Sequence, residues 1–219
     1  MNKYLKQAIL WAFIVMPYIY LASIWNHLPE QVPTHFGMDG EPNDWSSKIL
    51  LLFIPTGLGI GIYFFMYIIP AIDPKRKIEL MGDKYNSFRF TLTIFFAVLG
   101  TYLLYVTNAG SIKNPNILFA LIGGVFAILA NYFQTVRPNY FIGFRTPWTL
   151  ESETVWKKTH RLGGRLWIVG GTLIAILAFL IHSNHIFLIV FGTLVFLMAA
   201  IPVVYSYIEY QKEKNGIDK

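Results

Sequence analysis

Six long apolar runs decide what this chain can become. They cover residues 7–25, 49–72, 90–108, 116–136, 166–183 and 186–207, and none contains Asp, Glu, Lys or Arg. Each is 18 to 24 residues long. A helix needs about 20 such residues to cross the hydrocarbon core of a bilayer. Two-residue alternation, the mark of a membrane β-barrel, is absent. The spacing therefore predicts an all-α integral membrane protein with six transmembrane helices. Composition agrees: 55% of the 219 residues are hydrophobic and 14% are charged, against roughly 25% charged in an ordinary soluble domain.

The charges set an expected orientation, because Lys and Arg resist translocation. Sixteen of the 18 Lys and Arg residues fall on one side of a six-span thread. They are Lys3 and Lys6, five in the 73–89 loop, six in the 137–165 loop, and Lys212, Lys214 and Lys219. The other side carries Lys48 and Lys113. Both termini are expected in the cytoplasm. This asymmetry accounts for the net charge of +6 and argues against direct nucleic-acid binding. The chain has no cysteine, which removes disulfides, thiolate metal sites and cysteine nucleophiles. Lys3 and Lys6 resemble the start of a signal peptide. The following run is long for one, and Trp25 and His27 make a poor cleavage region, so retention is expected.

Small residues inside the runs suggest close helix packing. Gly57 and Gly61 have the small-xxx-small spacing, and Gly123-Gly124 and Gly170-Gly171 offer the same chance. Asn184-His185 alone separates the last two runs, which predicts a tight antiparallel hairpin. Pro17, Pro55 and Pro202 lie inside runs, where kinks are tolerated. No internal repeat is visible.

The 26–48 loop is expected outside. Three prolines and two glycines make helix unlikely there, and a turn is predicted at Asp39-Gly40. Glu30, Asp39, Glu41 and Asp44 against Lys48 give it a charge of −3. A cationic or amphipathic peptide arriving from outside would meet this patch first. His35, Asp39, Asp44 and Trp45 are its candidate ligand-binding residues. His27, His35, His182 and His185 all fall on this side. Their spacing matches no closed zinc motif, so no cofactor or metal is expected.

The 137–165 loop is expected inside. Pro147 pushes Thr146 toward extended geometry. Thr149 is predicted to cap a short interfacial helix, with Glu151 and Glu153 in its first turn and Lys157, Lys158 and Arg161 in its last. Gly163-Gly164 is predicted to end it. Trp148, Val155, Trp156 and Leu162 supply its apolar face. Asn139, Arg145 and Thr146 are read as fixing a polar turn that contacts a partner, with Arg145 the leading candidate.

The run Asn139-x-x-Ile142-Gly143-Phe144-Arg145-Thr146-Pro147-Trp148-Thr149, followed by Glu153-Thr154-Val155-Trp156-Lys157 and then Arg161 with Gly163 or Gly164, resembles the signature of the SdpI family. Upstream, Leu28-Pro29-x-x-Val32-Pro33-x-His35-Phe36, then Gly40-x-Pro42-x-Asp44 and Ser47-Lys48, is similar to a small domain of unknown function that often precedes it. The resemblance implies a multispan membrane protein giving immunity to a secreted sporulation-delaying peptide toxin. It also implies a signalling role, in which the toxin-bound protein holds a cytoplasmic repressor at the membrane. No catalytic residues carry over, and no enzyme activity is expected. Expected organisation is 1–72 as a helix pair with its loop, and 73–219 as the SdpI-like four-helix region, packed as one unit. The partner-facing residues implied are Asn139, Gly143, Arg145, Thr146, Pro147, Trp148, Thr149, Trp156 and Arg161.

Two other classes fit less well. A transporter usually shows ionisable residues within its spans, and here only Asn131, Gln134 and a scatter of small polar residues occur. That leaves room for a flippase without ion coupling. A metal-dependent membrane enzyme lacks the His-Glu-x-x-His and Gly-x-Ser-x-Gly patterns.

Overall fold

The structure is a computed structural model. It describes residues 2–216 apart from Met38 and Lys75, with Lys3 as backbone only. Among the described residues, six helical stretches are long and apolar enough to cross a membrane. Large apolar side chains such as Ile19, Phe53, Phe179, Ile189 and Phe196 are exposed along them. Such a surface suits lipid rather than water.

The chain divides into two compact units. The first comprises residues 1–67 and 89–116. It opens with α1 (Lys3–Ile24). The next segment, expected to be an extended loop with turns, is in fact a β-hairpin. Strand β1 (Gln31–Phe36) pairs antiparallel with β2 (Pro42–Ser47), with Gln31 opposite Ser47 and Phe36 opposite Pro42. The register shifts on both sides of His35. The expected turn at Asp39-Gly40 is present. Gly40 has φ +83°, and a Cβ there would strike the Ile112 carbonyl, so glycine is needed on both counts. The Gly40 carbonyl in turn accepts from Ile112 N–H at 2.8 Å. Leu21, Ile24, Leu28, Val32, Leu51 and Leu104 form a buried cluster beneath the hairpin.

The second apolar stretch is helical in three ways. Residues Lys48–Leu52 form a 3₁₀ turn, Pro55–Gly61 a π-helical segment, and α2 (Ile62–Ile72) an ordinary helix. Pro55 has no N–H to donate, which breaks the regular ladder. The helix-packing role expected of Gly57 and Gly61 is not observed. Gly57 faces nothing within 4 Å, and Gly61 meets only the Thr56 carbonyl of its own segment. Gly59 is the close approach, 3.6 Å from the Ile14 carbonyl for an added Cβ.

Helix α3 (Asp83–Ala109) runs from the second unit into the first. The second unit comprises residues 68–88 and 117–219. Buried Asp73 organises its first loop by accepting from Lys77 N–H at 2.8 Å and Ile78 N–H at 3.1 Å. It also holds α4 (Asn116–Phe133), the short α5 (Pro147–Glu151), α6 (Glu153–Leu180) and α7 (Asn184–Lys214). The expected hairpin of the last two helices forms, but its link is 181–183, and Asn184-His185 already belongs to α7. Gly123 and Gly171 carry the predicted close packing. A Cβ on Gly123 would sit 2.8 Å from Ala175 N, and one on Gly171 2.7 Å from Ala127 N. Ile174, Ala178, Phe187 and Met198 are buried alongside.

One expectation fails here. The separate interfacial helix capped by Thr149 and ended by Gly163-Gly164 does not exist. Thr146 caps the five-residue α5, Ser152 caps α6, and α6 continues through both glycines. Those glycines are contact points: the Phe144 ring occupies the space a Gly163 Cβ would take, and Gly164 lies against the Ala130 carbonyl. They serve close approach rather than termination.

Candidate functional site

The 137–165 segment is held by a chain of side-chain-to-backbone bonds. Asn139 is fully buried. Its Oδ1 accepts from the N–H groups of Phe141 and Ile142, both at 2.8 Å. Its Nδ2 donates to the carbonyls of Arg137 at 2.7 Å and Ile142 at 3.3 Å. One amide thus closes the turn from both sides, in the manner of an extended Asx-turn.

The turn is then locked onto α6. Phe144 N–H donates to His160 Nε2 at 3.0 Å. His160 Nδ1 lies 2.9 Å from the Trp156 carbonyl, which can only accept. The imidazole is therefore neutral, with its proton on Nδ1. Its ring stacks on Trp156 with centroids 4.0 Å apart. Trp156, also fully buried, donates its indole N–H to the Val136 carbonyl at 2.7 Å. Gly143 packs directly on His160 with φ +103°. The Phe144 ring packs edge-on to Phe133.

Next comes a reciprocal cap. Thr149 N–H donates to Thr146 Oγ1 at 3.2 Å, and Thr146 N–H to Thr149 Oγ1 at 3.0 Å. Thr149 Oγ1 also donates to the Phe144 carbonyl at 2.7 Å. The Thr146 hydroxyl lies 3.1 Å from that of Ser206 on α7. Pro147 fills the first position of α5, where its missing N–H costs nothing. Trp148 meets the edge of Tyr207 at 5.1 Å.

The predicted residues therefore separate into two sets. Asn139, Gly143, Thr146, Thr149 and Trp156 form one internal frame. Arg145 and Arg161 are exposed on it. Arg145 donates from Nη1 to the Tyr140 carbonyl at 2.6 Å. Arg161 lines a groove of about 540 Å³ between α6 and α7. The sequence reading missed His160, Ser206 and Glu209. The i, i+4 spacing of Trp156 and His160 was the available signal for the first. For Glu209, the signal was its i, i+3 spacing to Lys212.

In the first unit, the hairpin carries His35, Asp39, Asp44 and Trp45. Asp39 Oδ1 accepts from Glu41 N–H at 3.1 Å and so shapes the turn. Asp44 Oδ1 accepts from Trp45 N–H at 2.9 Å. His35 is hydrogen-bonded to Asn43. The Trp45 ring is half exposed. Glu30 pairs with Lys48 at 2.9 Å. Among the described residues, no three His, Asp or Glu side chains converge as a metal site.

Comparison with known proteins agrees with this layout. The model of the SdpI/YfhL protein family matches residues 135–206, which contain the whole locked turn. A domain of unknown function, DUF1648, matches residues 12–59, which contain the hairpin. Immunity protein SdpI of Bacillus subtilis (strain 168) is 30% identical over 208 residues, covering 94% of this chain and 96% of that protein. No solved structure matches. With six membrane-length helices among its described residues, this multi-pass membrane protein belongs to the SdpI family.

Proposed function

We propose that the chain is an immunity protein that protects the cell membrane against a secreted peptide toxin. The observation that carries this reading is the near full-length similarity to an immunity protein. In this reading both termini and the 137–165 segment are cytoplasmic, as the Lys and Arg asymmetry favours. The hairpin then faces outward. Its exposed Asp39, Glu41 and Asp44 carboxylates and its exposed Trp45 suit a cationic, amphipathic peptide. The exposed guanidinium of Arg145 supports a role in contacting a cytoplasmic repressor held at the membrane. No enzyme chemistry is part of this role.

The test is survival. The chain is expressed in a toxin-sensitive Gram-positive host, purified sporulation-delaying toxin is added, and growth and membrane potential are followed beside an empty-vector control. Protection is expected. Arg145→Ala is expected to abolish it while the protein still accumulates in the membrane. His35→Ala tests the hairpin in the same assay. No protection from well-inserted wild-type protein overturns the reading. Full protection by the Arg145→Ala protein removes that arginine from the mechanism.

A further inference from the structure

A second feature stands outside the immunity reading and does not depend on it. The groove between α6 and α7 is lined by Lys158, Arg161, Arg165, Tyr205, Glu209 and Lys212, among others. Glu209 is only 4% exposed. It holds Lys158 Nζ at 2.8 Å and Lys212 Nζ at 2.7 Å. The single acid thus fixes two cations in place, and the groove keeps a positive excess. Lys157 at its edge pairs with Glu153 at 3.0 Å. Arg161 and Arg165 are exposed, one helical turn apart, and make no ion pair among the described residues.

Its position decides what these cations meet. The Arg161–Arg165 face continues along α6 into exposed Val169, Leu173 and Ile176. Tyr205 on α7 continues toward exposed Ile201 and Leu197. From Arg165 to Ile176 is a rise of about 16 Å at helical pitch. That is close to half of a hydrocarbon core of about 30 Å. A cationic notch thus opens directly onto two apolar stripes about as long as one leaflet's acyl chains.

We infer that this groove binds the headgroup of an anionic phospholipid, with its phosphate on Arg161 and Arg165 and its acyl chains along the α6 and α7 stripes. A guanidinium fork matches phosphate oxygens in a way that an ammonium does not. The fixed lysines add charge without competing for that geometry. A free phosphate would use the cations and gain nothing from the stripes. An acidic protein segment would likewise leave them unused.

The test is native mass spectrometry of the purified full-length chain in detergent. Phosphatidylglycerol and phosphatidylcholine are added in equal amounts, with inorganic phosphate as competitor. Phosphatidylglycerol is expected to be retained in preference, and equimolar phosphate should not displace it. Because both arginines are exposed, Arg161→Gln and Arg165→Gln should fold normally. Each should weaken retention about fivefold, from about 1 kcal/mol per basic residue at an anionic surface. Lys84→Gln, in the first turn of α3, should retain lipid like wild type. Equal retention of both lipids, displacement by equimolar phosphate, or undiminished retention in both arginine variants overturns the assignment.

Discussion

Gly143→Ala perturbs the locked turn at its tightest point. Gly143 has φ +103°, outside the regions where an L side chain is comfortable, and its added Cβ would run into His160 Nε2. The backbone strain alone is worth about 1–2 kcal/mol. Displacing the imidazole also breaks the 3.0 Å bond from Phe144 N–H. An amide left without an acceptor costs a further 1–3 kcal/mol or so. The expected loss is therefore about 2–5 kcal/mol. His160→Ala removes the same bond, the Trp156 stack and a second donor to the Trp156 carbonyl, for about 2–4 kcal/mol. The two effects share one clash and one hydrogen bond, so they must not add. With His160 already truncated, Gly143→Ala should cost only the backbone strain of about 1–2 kcal/mol. A double-mutant cycle, read from SDS titration in mixed micelles, should give a coupling of about 1–3 kcal/mol. Additivity within about 0.5 kcal/mol would refute the lock. So would a Gly143→Ala protein as stable as wild type.

Two further outcomes check the frame around it. Gly171→Ala should destabilise the protein by about 1–3 kcal/mol, because its Cβ must push α4 and α6 apart; Gly124→Ala, which meets nothing within 4 Å, should melt like wild type. Equal melting temperatures for the two would remove close packing as the role of Gly171. Because the chain has no cysteine, single-cysteine variants report orientation cleanly. An impermeant maleimide should label Asp44→Cys in intact cells and reach Lys84→Cys only after lysis. The opposite pattern would invert the proposed topology.

The spans were legible because bilayer thickness imposes a minimum run of apolar residues, and each of the six runs overlaps a long helical stretch for most of its length. Their ends were not legible. The 166–183 run belongs to a helix that starts at Glu153. Loss of apolar character marks the edge of the hydrocarbon, whereas backbone hydrogen bonding continues beyond it. Gly163-Gly164 misled for a related reason. A glycine pair at the end of an amphipathic stretch reads as a stop, yet here each glycine admits a neighbour from outside its own helix. The hairpin was hidden because Pro33 and Pro42 disfavour strand, although Asp39-Gly40 marked its turn. Asn139, Thr146, Thr149 and Trp156 were recognisable as a group, but their work depends on partners far along the chain. His160 is 16 residues from Phe144, and Ser206 is 60 residues from Thr146.

The structure divides the signature by what each side chain has left to offer. Asn139 uses its amide on four backbone groups. Trp156 uses the only donor it has, and Thr149 faces inward with no exposed surface. None of these can recognise another molecule without first undoing the turn. Arg145 is different. A guanidinium has five N–H donors, and the Tyr140 carbonyl takes one of them. That single bond holds the side chain against a rigid turn while the rest of the fork faces outward. Fixing a long side chain beforehand lowers the entropy lost when a partner binds. In the proposed reading the buried part of the motif is the mount, and the arginine is what it presents. On this argument a signature of this kind identifies the scaffold, while the ligand is chosen by the few exposed residues the scaffold aims.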